Sequence, residues 1–109
     1  MDKDLENTKV VLDVVCGKWK AVILLKLFEG TLRFGEIKRS IPLINHQTLI
    51  KQLRELEEDD LISKKSYPVV PPWVEYSLTE YGRSLKPLLN EMVEWGEKHN
   101  NKDKDKTPS

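Results

Sequence analysis

Asn45, His46, Gln47 and Thr48 stand in a row, and each side chain can both donate and accept hydrogen bonds. Lys51, Gln52 and Arg54 follow within the next two helical turns. Donor–acceptor side chains followed by cations suit duplex DNA. The polar groups match the edges of base pairs, and the cations hold phosphates and so fix register. Arg33 on one side and Lys64 and Lys65 on the other extend the positive charge. The candidate DNA contacts are therefore Arg33, Asn45, His46, Gln47, Thr48, Lys51, Gln52, Arg54, Lys64 and Lys65. The plainer reading is a solvated helix face, with Arg54 paired to Glu58 four residues on, worth about 0.3–0.5 kcal/mol. His46 has a similar alternative as an exposed histidine without a role.

Other chemistries have less support. Cys16 and the two histidines, His46 and His99, are far apart in the chain and make no nucleophile–base pair. One cysteine and two histidines cannot build a four-ligand zinc site, and no paired-carboxylate or metal spacing stands out. No cofactor is expected, and the chain does not read as an enzyme. Cys16 precedes Gly17, with Lys18 and Lys20 close by. Positive neighbours and a helix start favour thiolate, which makes Cys16 a candidate redox sensor. The alternative is a small buried hydrophobe.

The elements that must position these residues can be read from periodicity. Leu49, Leu53 and Leu56 form an apolar stripe behind Asn45, a good N-cap, and place Gln47, Lys51, Arg54 and Glu58 roughly opposite. Phe34, Ile37 and Ile41 predict a two-turn helix from Phe34 to Arg39, stopped by Pro42. Together they make a helix–turn–helix about the turn Ser40–Ile44. Alternation over Leu61–Tyr67 and Trp73–Leu78 predicts two strands, joined by the stiff loop Pro68–Pro72 as a two-stranded wing. Lys64 and Lys65 then point to opposite faces of their strand. Trp73 is expected to brace the proline loop against the domain, the alternative being contact with a ligand or a DNA sugar.

Upstream, residues 5–15 predict a helix with Val11, Val14 and Val15 on one face, and Trp19–Phe28 a core helix apolar nearly all round. Gly30 suits the C-terminal cap of the latter. Downstream, Thr79 caps a last helix carrying Leu85, Leu88, Leu89, Met92 and Trp95, with Pro87 kinking it or marking its true start. Residues 1–99 thus form one winged helix–turn–helix domain, α+β and mostly α. Residues 100–109 read as a disordered polar tail.

The chain has 109 residues, 39% hydrophobic and 33% charged, with 18 basic and 18 acidic side chains. That is one domain, and no global positive field advertises nucleic acid. The charge is unevenly placed, however: residues 17–65 hold ten basic and seven acidic groups. Apolar runs such as Ala21–Leu25 are far too short to span a bilayer, no signal-peptide pattern opens the chain, and a cytoplasmic protein is expected. The neutral total keeps a second reading open: a winged-helix protein-interaction module without direct DNA binding.

Six ordered segments resemble one family, the HxlR-type bacterial winged helix–turn–helix regulators. They are Gly17-Lys-Trp-Lys, Leu32-Arg-Phe-Gly-Glu-Ile, Leu49-x-x-x-Leu-Arg-Glu-Leu-Glu, Tyr67-Pro-x-Val-Pro-Pro, Val74-Glu-Tyr-Ser-Leu-Thr and Gly82-Arg-Ser-Leu, and the likeness runs from about residue 9 to 98. The resemblance implies a homodimeric transcriptional regulator of double-stranded DNA. It implies that the first and last helices form the dimer contact, with Val11, Val14, Val15, Leu88, Met92 and Trp95 as candidates. It further implies base recognition by the helix starting at Asn45 and a minor-groove or backbone contact by the wing. Family members that sense electrophiles or oxidants commonly use a cysteine in the first helix; here the cysteine comes later, at position 16.

Overall fold

The computed structural model describes residues 2–15 and 17–106, with side chains through Lys102. Its elements, in order, are α1 (Lys3–Val15), α2 (Lys20–Leu27), β1 (Leu32–Arg33), α3 (Phe34–Ser40), α4 (His46–Glu58), β2 (Ile62–Tyr67), β3 (Trp73–Leu78), α5 (Glu80–Arg83) and α6 (Lys86–Lys106).

The helices assemble on the apolar faces that their sequences provide. In α2, Ile23, Leu24 and Leu27 are buried, and Ala21, Val22, Leu25 and Phe28 pack around them. Ile37 from α3, Leu49, Leu53 and Leu56 from α4, and Leu89 from α6 close on the same core. Each side chain of this size contributes about 1.5–3 kcal/mol relative to leaving it in water. Gly30, at φ +146°, turns the chain out of α2 into β1, a backbone conformation that a side chain would strain.

The wing is a three-stranded antiparallel sheet in the order β1-β3-β2, not the two-stranded hairpin expected. Leu32 and Arg33 pair with Tyr76 and Glu75, and β2 pairs with β3 from Ile62↔Leu78 to Tyr67↔Trp73. Two residues are too short a stretch to show any periodicity, so β1 left no signal in the sequence. It matters because it ties the chain just before α3 to the wing.

Two joints hold the wing to the helices. At the end of α4, Asp60 takes φ +60°, while Leu61 N–H bonds the Leu56 carbonyl and Asp60 N–H the Glu57 carbonyl, both at 3.0 Å. This is a Schellman closure, and it brings Leu61 back over Leu56. At the start of α5, Thr79 Oγ1 accepts from Gly82 N–H at 2.9 Å and donates to the Asp60 carbonyl at 2.6 Å. Gly82 is buried against Leu61, and a Cβ there would lie 2.0 Å from the Leu61 carbonyl oxygen.

Two further expectations are corrected. Helix α6 runs through Lys106, across residues 100–106 where a disordered tail was expected. Lengthening a helix that is already nucleated needs only propagation, which polar residues tolerate. Pro87 is the second residue of α6 and so marks its start, where a missing backbone N–H costs nothing. Val15 is 7% exposed and belongs to the subunit's own core, so it is removed from the candidate dimer surface. The helix is apolar on more than one side, and the end nearest α2 turns inward.

Candidate nucleic-acid interface

The second helix of the helix–turn–helix, α4, is divided lengthwise. Leu49, Leu53 and Leu56 are at most 1% exposed, whereas Gln47, Ile50, Lys51, Arg54 and Glu58 face solvent. The division follows from the apolar spacing, which matches the helical repeat and leaves a polar ridge of about three turns. Thr48 and Gln52 are half-buried on the flanks of that ridge.

At its N-terminus, Asn45 Oδ1 accepts from Gln47 N–H at 2.8 Å and from Thr48 N–H at 3.3 Å. The cap occupies the Asn45 oxygen and leaves its amide NH₂ facing out. The His46 ring meets Phe34 of α3 edge-on, with centroids 5.1 Å apart. That contact seats the start of α4 against the preceding helix. On the other flank Lys20 of α2, almost buried, pairs with Glu55 at 3.1 Å. Neither Lys51 nor Arg54 makes an ion pair within 4.0 Å with another described side chain. Arg54 is therefore not held by Glu58, and the cations of the ridge are free to meet an external anion.

The wing lies beside this ridge. Arg33 caps α3, where its backbone N–H donates to Glu36 Oε1 at 2.8 Å, and its side chain is exposed. A cleft of about 430 Å³ separates the N-terminal part of α3 from the wing, and Arg33, Phe34, Arg39 and Trp73 line it. Lys64 and Lys65 are both exposed on β2. Lys64 lies opposite Tyr76, whose phenol is pushed above its usual pKa by burial and then by nearby Glu57. Lys65 lies opposite Glu75.

The structure thus brings Gln47, Lys51 and Arg54 together on α4, and Arg33 and Lys65 together on the wing. Sequence reasoning missed two members of this surface. Ile50, 38% exposed, stands within the polar ridge, and Leu43, 86% exposed, sits in the turn before it. Arg39 is an exposed cation lining the cleft. For Ile50 the signal was present, since it falls between Gln47 and Arg54 on the same side of the helix. Cys16 lies outside the described residues. Among those described, no group of three or more histidine, cysteine, aspartate or glutamate side chains is placed to hold a metal ion.

A helix–turn–helix whose second helix shows an uncovered polar ridge, flanked by a cationic wing, defines a winged-helix protein of the nucleic-acid-binding class. The HxlR-like helix-turn-helix family model matches residues 14–104, and the chain belongs to that family of transcriptional regulators. It is 47% identical over 98 residues to the uncharacterised HTH-type transcriptional regulator YdeP of Bacillus subtilis, covering 88% of this chain and 77% of that protein. It is 51% identical over 88 residues to YkvN of the same organism, covering 81% and 75%. Among solved structures, the redox regulator HypR in its reduced form superposes with a TM-score of 0.85 at 42% identity, covering 91% of this chain and 98% of that one. A structure described as an HTH-type transcriptional regulator, ytcD, gives 0.83 at 46% identity, covering 93% and 99%.

Proposed function

We propose that this chain is a sequence-specific, cytoplasmic DNA-binding regulator that works as a homodimer on a pseudo-palindromic operator. The observation that carries the reading is the ridge of α4, with Gln47, Lys51 and Arg54 exposed above a fully buried leucine stripe. In a major groove about 12 Å wide, Gln47 reads a base edge and Lys51 and Arg54 hold phosphates. The wing, with Arg33 and Lys65 in one row across the sheet, follows the backbone beside it, and Lys64 on the other face of β2 belongs to no contact on that track. Two such ridges reach half-sites about one helical turn apart, roughly 34 Å.

The dimer reading rests on exposed apolar side chains concentrated on two helices. Leu5, Val10, Val11 and Leu12 on α1, and Leu88, Met92, Val93 and Trp95 on α6, are all open to solvent. Val14 is half-buried and joins Val10, Val11, Tyr81 and Leu85 around an apolar cleft of about 120 Å³. A second copy is the occupant that fits a symmetric operator.

Because one solved relative, HypR, is described as a redox regulator in both oxidised and reduced forms, a redox or electrophile response through Cys16 is part of the proposal. Thiol labelling tests it. Alkylation of the native protein near neutral pH supports a sensor, and resistance to alkylation up to about pH 9, where an ordinary thiol is ionised, removes it.

The central test is gel retardation of fragments selected from genomic DNA. Gln47→Ala is expected to relax choice at one base pair by about 1–3 kcal/mol. Lys51→Ala is expected to weaken all sequences alike and to lower the salt slope by about one phosphate contact. If the double variant retards promoter fragments as the parent does, α4 is not the reading helix. If binding to DNA is insensitive to salt and a protein partner is retained instead, the chain is an interaction module.

A further inference from the structure

One row across the three strands of the wing places a carboxylate between two cations. Glu75 on β3 is the register partner of Arg33 on β1 and of Lys65 on β2. Directly opposed side chains in a sheet lie close enough to pair, with Cβ atoms about 4.5–5.5 Å apart. Neither Arg33 nor Lys65 makes an ion pair with Glu75 within 4.0 Å.

The Glu75 oxygens are used otherwise. Oε1 accepts from the Tyr67 hydroxyl and Oε2 from Trp73 Nε1, both at 3.2 Å. The two rings so held stack on each other, with centroids 5.0 Å apart and planes 22° apart. The cations then lie on the rings. The Arg33 guanidinium is 4.1 Å from the Trp73 ring centroid, and the Lys65 ammonium is 5.1 Å from that of Tyr67. Because β3 runs between β1 and β2, Arg33 and Tyr67 reach the indole from opposite sides. A guanidinium held over an aromatic face is still charged and still has N–H donors to offer a bidentate acceptor.

This stack is continuous with the reading helix. Arg33 precedes Phe34, and Phe34 touches His46, the first residue of α4. The cleft between α3 and the wing adds the exposed Arg39 to the same strip.

We propose that the Glu75–Tyr67–Trp73 unit is a positioning device that presents Arg33 and Lys65 to backbone phosphates of duplex DNA where the strand leaves the reading helix for the wing. This rests on the regulator reading above. Glu75 turns one oxygen to each ring and makes no ion pair within 4.0 Å with either cation. Arg33 and Lys65 are held on the rings and stay available to an outside anion. Trp73, Tyr67 and Glu75 act through the cations and touch no phosphate themselves.

The proposal opposes simple charge counting, and that makes it testable. Removing an acidic group beside DNA should tighten binding by electrostatics alone. If Glu75 positions the cations, Glu75→Leu weakens binding instead, because a side chain of similar size without oxygens accepts from neither ring.

The experiment measures binding of the full chain to a fluorescein-labelled duplex of random sequence across a salt series. Arg33→Ala is expected to cost about tenfold in affinity, the size of one charge-assisted hydrogen bond. It should also lower the slope of log K against log salt by about 0.9. Glu75→Leu and Trp73→Leu are expected to reproduce part of both changes, and Trp73→Leu is expected to cost less in an Arg33→Ala background, where only Lys65 is left to position. Should Glu75→Leu fail to fold, the Arg33–Trp73 cycle decides alone. Glu75→Leu binding as tightly as the parent or more tightly overturns the proposal, as does an equal loss from Trp73→Leu with and without Arg33. A parent that binds the duplex with no salt dependence overturns the regulator reading as well.

Discussion

Ile50 is a branched aliphatic side chain on a ridge otherwise made of amide and cationic groups. The feature of a major groove that such a side chain complements is the C5-methyl group of thymine. Replacing deoxythymidine by deoxyuridine removes that methyl and nothing else. In a duplex selected for binding, the swap at the contacted position is expected to weaken the parent by about 0.8 kcal/mol, the worth of one buried methylene. An Ile50→Ser protein is expected to be indifferent to it. Fluorescence anisotropy with the paired duplexes measures both. At this scale the sequence was readable where a single side chain decides the outcome: Asn45 caps α4, Thr79 caps α5, and the Gln47–Lys51–Arg54 face is open. It was unreadable where two distant segments meet. Nothing local to Trp73 or Glu75 announces that β1 will lay Arg33 across the indole.

Among the elements, the joint between α5 and the end of α4 is the least tolerant. The Gly82 position has the Leu61 carbonyl where a Cβ would stand, and backbone, unlike a flexible side chain, cannot step aside cheaply. Gly82→Ala is expected to lower the unfolding free energy by about 1–3 kcal/mol, measured by denaturant titration. An unchanged midpoint would show that α5 can lift away from Leu61. Helix α5 itself illustrates a limit of periodicity. Residues 80–83 make a single turn, and the sequence pattern merged them with the helix that follows. The amphipathic α4 and the core helix α2, by contrast, were legible because seven or more residues repeat at the helical period.

The molecule as a whole carries two helices whose apolar side chains it does not cover. Trp95 is 68% exposed and stacks on His99 one turn along, with planes 9° apart. Leu12 is exposed on α1. If these helices join two copies, Leu12→Glu and Met92→Glu are expected to shift sedimentation equilibrium from dimer toward monomer. They should also reduce affinity for an inverted repeat far more than for a single half-site. Equal losses on both duplexes would place the dimer contact elsewhere. No helix among the described residues is long and apolar enough to cross a membrane.

The hairpin begins at Leu61 and ends at Thr79, and both ends are pinned at one spot. Thr79 N–H bonds the Leu61 carbonyl at 3.1 Å, and Gly82 rests on that same carbonyl. The sheet is held again at its other edge, where Leu32 and Arg33 pair with Tyr76 and Glu75, so the flap is moored at two places and keeps its bearing relative to the helix that precedes it. From the first mooring the chain passes through the single turn of α5 into the long final helix, so any face that α6 offers a partner begins one short helix away from the wing.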